Sequence, residues 1–398
     1  MKLAYPKYNN KIQKKVQKVL ATGRVNYWTG NECKLFEKEF SKYLKNKYSI
    51  AVSNGSVALE LALKSLKLKK GDQIIVTSRS FIISASCVLN LGLKPIFADV
   101  DKNGNIDIKS IKYLYNQRVK GIIIVHLNGL ACEMEPILNF VKKKKVFLIE
   151  DCSQAHGAIY KGKKVGSFGD ISTWSFCQDK IISTGGEGGM ISTNNKLLFL
   201  KIWSLKEHGK NYHSCFMKEH KMGFKWLHDY QGSNYRMTEM QAVIGREQLK
   251  ILDKHIKKRN LIAGIYIKEL KDFYQKYKII KQPDFRCQSC PFKTRVQNCN
   301  NCRHAFYRLN LFINKDKINQ KILLEQLAIH KIDCGVGACP EIYNEKVFRK
   351  LKLTPKKRLP NAKLLGETSI MFPINPYKSL IKIKSEISSI KKILNNFL

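Results

Sequence analysis

Through the first ~245 residues, short apolar runs alternate with helix-length amphipathic segments. The runs predict strands at Ile50–Val52, Gln73–Thr77, Pro95–Asp99, Gly121–His126, Val146–Glu150, Ser172–Phe176 and Met190–Thr193. Stretches such as Ile122-Ile123-Ile124-Val125 are apolar without alternation, as in strands covered on both faces. Strands alternating with helices predict an α/β fold with a mainly parallel central sheet. Ligands of such sheets bind at the carboxyl ends of the strands.

A long helix is predicted from Thr238, where Thr238 and Gln241 fit a capping box and apolar Met240, Val243, Ile244 and Leu249 follow. It would carry the chain from a large domain (1–245, with an N-terminal arm) into a smaller α+β domain (246–398). The smaller domain offers strand-like His304–Ile313. It also offers a C-terminal helix with Ile387, Ile390, Ile393, Leu394 and Leu398 on one face.

Composition changes this picture little. The 398 residues are 44% hydrophobic and 26% charged, which are globular proportions. No apolar run approaches the ~20 residues of a membrane helix, and the lysine-rich N-terminus lacks the apolar stretch of a signal peptide. The expectation is a cytoplasmic protein with reduced thiols and no membrane partner. The net charge of +41 raises the question of nucleic acid. Only 12 of the 72 basic residues are Arg, however, and the Lys residues are spread along the whole chain. That pattern fits a solvated coat better than a nucleic-acid reader, and its field would also attract a small anionic substrate.

Three segments could carry chemistry. Ser53-Asn54-Gly55-Ser56 follows a strand and opens an apolar helix, so its amides could cradle a phosphate; alone it reads equally as a capping turn. Asp151, in Glu150-Asp151-Cys152-Ser153-Gln154-Ala155-His156-Gly157, ends a buried strand. A carboxylate there is costly unless paired, and a protonated pyridine nitrogen would suit it; a helix cap is the alternative. Lys180 ends Ser175-Phe176-Cys177-Gln178-Asp179-Lys180, just before the glycine-rich Gly185-Gly186-Glu187-Gly188-Gly189. Desolvation at a sheet edge would lower its pKa and make it a nucleophile toward an aldehyde. Together the three supply what pyridoxal 5'-phosphate needs.

With these segments, the chain resembles the DegT-type family of pyridoxal-phosphate-dependent sugar aminotransferases of fold type I. The resemblance also rests on Gly23-Arg24-Val25-Asn26-Tyr27-Trp28-Thr29-Gly30, Ser80-Phe81, Asn234-Tyr235-Arg236-Met237-Thr238-Glu239-Met240-Gln241-Ala242 and Cys339-Pro340-Glu341-Ile342-Tyr343. It implies that Lys180 links to the cofactor aldehyde and later shuttles protons, and that Asp151 keeps the ring nitrogen protonated. By the same resemblance Gln154 lies near the ring and Phe81 packs on it. Gly55, Ser56 and Ser175 bind the phosphate, and Asn234 reaches that phosphate from a second subunit of a homodimer. His208 and Arg236 match positions near the substrate entrance. The implied reaction moves an amino group, with glutamate as the expected donor, to a nucleotide-linked keto-sugar. Relatives with His at the position of Lys180 are sugar dehydratases, the enzyme alternative. A non-catalytic DNA-binding regulator on the same fold is the other alternative, although no helix-turn-helix or Arg-rich element appears.

The chain departs from the family pattern at 286–303. Cys287, Cys290, Cys299 and Cys302 form two CxxC pairs, a spacing that points to a structural zinc. The eight-residue spacer is shorter than in common zinc ribbons, so free thiols or a redox pair remain alternatives.

Overall fold

The computed structural model describes residues 5–220, 222–281 and 301–398. In chain order the first strands are β1 (Tyr48–Val52), β2 (Gln73–Thr77), β3 (Lys94–Ala98), β4 (Val119–Val125) and β5 (Phe147–Asp151). A small hairpin of β6 (Ile159–Tyr160) and β7 (Lys163–Lys164) precedes β8 (Ile171–Ser175) and β9 (Gly189–Thr193). Seven of these strands form one sheet in the order β1-β9-β8-β5-β4-β2-β3. Neighbours from β8 to β3 pair in parallel, whereas β9 is antiparallel to both β8 and β1. Each expected strand is present.

The absence of alternation in these strands has a direct cause. Ile74, Val76 and Ile123 enter one apolar cluster with the helices Gly55–Ser65 and Lys196–Lys206. Ile75, Ile122 and Ile124 enter another on the opposite face. Both faces are covered, and each fully buried Ile or Val contributes roughly 1.5–3 kcal/mol.

The helix Glu239–Glu269 starts as expected, with a complete capping box between Thr238 and Gln241. It touches two cores. Leu252 and Ile256 belong to the core under the large sheet, and Ile262, Ala263 and Tyr266 to a second one. The second core packs against an antiparallel sheet of β10 (Ile280–Lys281), β11 (Arg308–Ile313) and β12 (Ser369–Pro373). Two details differ from the sequence reading. The strand begins at Arg308 rather than His304, because Phe306 takes φ +45° and His304 Nδ1 accepts from the Phe306 amide at 2.7 Å. The C-terminal helix ends at Asn395, so Leu398 lies beyond it, 56% exposed, while Ile387, Ile390, Ile393 and Leu394 are buried.

One buried network fixes the carboxyl edge of the sheet. Glu150, fully buried in β5, accepts from His126 Nε2 at 3.0 Å and from the amides of Gly166, Phe168 and Gly169 at 2.8, 2.8 and 2.7 Å. His126 Nδ1 accepts from the Cys132 amide at 3.0 Å, which leaves Nε2 as the donor. Burial pushes Glu150 up, but these donors outweigh it and hold the carboxyl below its ordinary value. Glu150→Gln would turn an amide donor toward backbone N–H groups. It should destabilise the fold by about 3 kcal/mol in urea unfolding, the range for breaking a buried charged network. A loss under 1 kcal/mol would mean that the network is dispensable.

Candidate active site

The carboxyl end of β1 runs through Ser53 and Asn54 into the helix Gly55–Ser65. Asn54 caps it, its side-chain oxygen accepting from the Val57 amide at 2.9 Å. The amides of Gly55 and Ser56 are among those that a helix leaves unused, and they carry its positive dipole end. Gly55 is needed for packing: a Cβ there would lie 2.7 Å from Ser175 Cβ. Gly189 is pressed as closely, since its Cβ would lie 2.4 Å from the Asn54 carbonyl oxygen. Small residues thus bring the helix N-terminus against Ser175, at the end of β8. Gly55, Ser56 and Ser175 form one cradle.

Asp151 ends β5, beside β8, and is 5% exposed. No helix follows it, so it caps none. Its Oδ1 accepts from the Ser153 amide at 3.0 Å. Burial raises its pKa; the Ser153 bonds and the nearby charge of Lys180 pull the other way without cancelling that effect. A cationic partner would complete it. Gln154 Oε1 accepts from the Asn128 amide at 2.9 Å, which ties the turn after Asp151 to the end of β4. His156 is buried against Trp174 and Phe176, and burial lowers its pKa to about 3, so it is neutral. Phe81 is 68% exposed, an apolar ring left open after β2.

Lys180 lies in a charged cluster that the sequence did not announce. Its Nζ is 3.0 Å from Asp179 Oδ1 and 3.3 Å from the Tyr307 hydroxyl. Tyr307 donates to Asp179 Oδ2, and Arg308 Nη2 lies 3.2 Å from that oxygen and 3.1 Å from the Tyr307 hydroxyl. The N-terminal arm closes the other side: the Tyr5 hydroxyl donates to the carbonyls of Lys180 and Ile181 at 2.8 and 2.5 Å. The expectation of a depressed lysine pKa is therefore corrected. Burial does push Lys180 down, but Tyr307 and Asp179 outweigh it and leave the ammonium favoured. Asp179 adjoins Lys180 in the chain and could have been weighed beforehand. Tyr307 is 127 residues away, and only the fold brings it in.

The remaining predicted residues lie apart from this cluster. Asn234 is exposed, and its Oδ1 accepts from the Arg236 amide at 3.4 Å. Its neighbour Tyr235 accepts from the Ser53 amide at 2.9 Å, so this segment runs beside the cradle. Arg236 Nη1 lies 2.9 Å from Glu207 Oε2, and the fully buried Glu207 also binds Lys206 Nζ at 2.6 Å and accepts from Trp28 Nε1 at 2.8 Å. His208 is exposed, at φ +60°. Of the four cysteines, Cys302 is described, its Sγ accepting from the Lys161 amide at 3.4 Å. Cys287, Cys290 and Cys299 lie outside the described residues. No helix among the described residues is long and apolar enough to cross a membrane.

The chain matches the DegT/DnrJ/EryC1/StrS aminotransferase family over residues 6–389. It belongs to that family. An aminotransferase from Psychrobacter cryohalolentis has the same fold over 99% of both chains, with a TM-score of 0.94 and 39% identity. GDP-perosamine synthase of Escherichia coli O157:H7 is 40% identical over 250 residues; the match spans 63% of this chain and 66%, just under two thirds, of that protein. A dTDP-3-amino-3,6-dideoxy-alpha-D-galactopyranose transaminase of Aneurinibacillus thermoaerophilus is 37% identical over 267 residues, 67% of this chain and 70% of that one. The architecture is that of fold type I.

The family implies pyridoxal phosphate, and the residues present fit it. The cradle at Gly55 admits no Cβ, the buried Asp151 has no cationic hydrogen-bond partner among the described residues, and the charge of Lys180 reaches that carboxylate. Two outcomes follow. Gly55→Ala must displace Ser175 and should weaken cofactor binding at least tenfold in a fluorescence titration; unchanged affinity would remove the cradle. Asp179→Asn removes the charge that favours the Lys180 ammonium, so more free amine exists at a given pH. The midpoint of cofactor incorporation against pH should move to lower pH, and a midpoint that stays or rises would contradict the pairing.

Proposed function

We propose that this family member transfers an amino group to a nucleotide-linked keto-sugar, with glutamate as donor, through pyridoxal phosphate. One observation carries the reading: Asp151 ends β5, Ser175 ends the neighbouring β8 against the Gly55 helix N-terminus, and the charge of Lys180, five residues beyond Ser175, acts on Asp151 at that same carboxyl edge. When bound, the cofactor supplies an aldehyde that exchanges amino groups and a ring that withdraws electrons.

The chain's residues then have separate tasks. Gly55, Ser56 and Ser175 hold the phosphate by amide and hydroxyl donors at the dipole's positive end. Asp151 holds a proton on the ring nitrogen by a charge-assisted bond. Phe81 and Gln154 would contact the ring. Lys180 would be the amine that holds the aldehyde, and as a free amine it would move protons at the substrate carbon. Asp179 and Tyr307 must release it first. Asn234 would complete the phosphate site of a second copy, which makes the working unit a homodimer; its exposure, with no bond to its own cradle, supports this. His208 and Arg236 would flank the substrate entrance, Arg236 through its pairing with Glu207. Lysine rather than histidine at 180 supports transfer over dehydration. The basic surface suits a diphosphate-bearing substrate. The CxxC pairs support a structural zinc at Cys287, Cys290, Cys299 and Cys302.

Borohydride reduction followed by peptide mass mapping should place the cofactor on Lys180. Lys180→Ala should lose that label and at least 1,000-fold in amination of GDP- or dTDP-linked 4-keto-sugars with glutamate. Label on another lysine would overturn the assignment.

A further inference from the structure

Arg79, just beyond β2, is 1% exposed. A buried arginine ordinarily meets a carboxylate. Among the described residues this one meets none. Its Nη2 donates to Ser369 Oγ at 3.0 Å, while Nε and Nη1 have no hydrogen-bond partner. Arg259 is the contrast: equally buried, it donates from Nη1 to the carbonyls of Phe306, Tyr307 and Ile374 at 3.1, 3.4 and 2.5 Å.

A second polar group beside Arg79 is also unsatisfied. Asn310, on β11, is 6% exposed, and neither atom of its amide is paired. Gly337 lies against both: a Cβ there would be 3.4 Å from Asn310 Oδ1 and 3.7 Å from Arg79 Nη2. At Gly104 a Cβ would be 3.4 Å from Arg79 Cδ and 3.5 Å from Nε. Those are ordinary contact distances, so both glycine backbones lie against the guanidinium and its stem. Both have positive φ, +85° and +91°, where a side chain is strained. Glycine is thus favoured on two sides of an incomplete guanidinium. Burial lowers Arg79 to about 10, so it is still cationic near neutrality.

The place adjoins the candidate active site. Phe81 is two residues along, and Ser80 bridges to Cys339. Met371, whose Cβ would be 3.6 Å from a Cβ at Gly337, has its Sδ 3.8 Å from Arg308 Nη1, and Arg308 pairs with Asp179 beside Lys180. A guanidinium with donors to spare binds a carboxylate through parallel N–H···O bonds.

We infer that Arg79 and Asn310 form a subsite for the carboxylate of a reactant. This rests on the aminotransferase reading above, in which two reactants visit Lys180. The carboxylate comes either from the amino donor or from an acid group on the sugar. Calorimetry on cofactor-loaded protein separates the two, with glutarate as the donor-like probe and UDP-glucuronate against UDP-glucose as the sugar pair. If the donor supplies the group, glutarate binds, and Arg79→Gln and Asn310→Ala weaken it at least tenfold. If the sugar does, UDP-glucuronate binds at least tenfold more tightly than UDP-glucose, and the same variants erase the difference. In either case acetate should compete with the bound probe in the wild-type protein, a measurement that needs no variant to fold. The subsite is overturned if wild-type protein binds no glutarate and does not distinguish the two sugars. It is also overturned if acetate fails to compete, or if a folded Arg79→Gln protein binds both probes as wild type does. Failure of the aminotransferase reading would appear separately, as no borohydride-fixed cofactor on Lys180 before any probe is added.

Discussion

The structure depends on placing opposite charges at the carboxyl edge of a parallel sheet where little water reaches. Asp151 and Lys180 sit there under opposing influences. Burial raises the carboxyl of the first. Asp179 and Tyr307 keep the second an ammonium against burial. Neither arrangement is complete within the chain. Asp151 lacks a cationic hydrogen-bond partner, and Lys180 is occupied by neighbours that it must leave before it can act as a nucleophile. Each is what a charged heteroaromatic aldehyde would finish.

The surroundings serve that edge. Glu150, one residue before Asp151, anchors the Gly166–Gly169 turn by three amide bonds, and His126 is held in one tautomer by Cys132. The glycines at 55 and 189 allow the helix dipole to approach Ser175. The arm residue Tyr5 and the pair Tyr307 and Arg308, at the start of β11, meet around Lys180 from distant parts of the sequence. A site assembled from such distant segments requires the whole fold. This is consistent with a family match that runs from residue 6 to residue 389.

Much of this was legible in the sequence. Two-sided burial leaves uninterrupted apolar runs, so the strands could be read directly, and Thr238 with Gln241 marked the long helix. Lys180, Asp151 and Gly55 were legible as a set, since each alone fits an ordinary structural role. What stayed hidden depends on pairing across the chain. The partners of Lys180 reversed the direction expected for its pKa, because desolvation alone ignores Asp179 and Tyr307. The break at Phe306 was hidden because Ala305-Phe306-Tyr307 is as apolar as the strand that follows, and the lack of a carboxylate partner for Arg79 among the described residues shows only in the fold. Asn234 is exposed and turned onto its own loop, so the role proposed for it was not to be read from one chain.

The buried carboxylate of Asp151 is placed to hold a cation. The most direct measurement is the 15N chemical shift of ring-labelled pyridoxal phosphate bound to the protein. The account predicts a protonated ring nitrogen in the wild-type protein across neutral pH, and a neutral one in Asp151→Asn. A neutral ring nitrogen in the wild type, or no change on substitution, would contradict it.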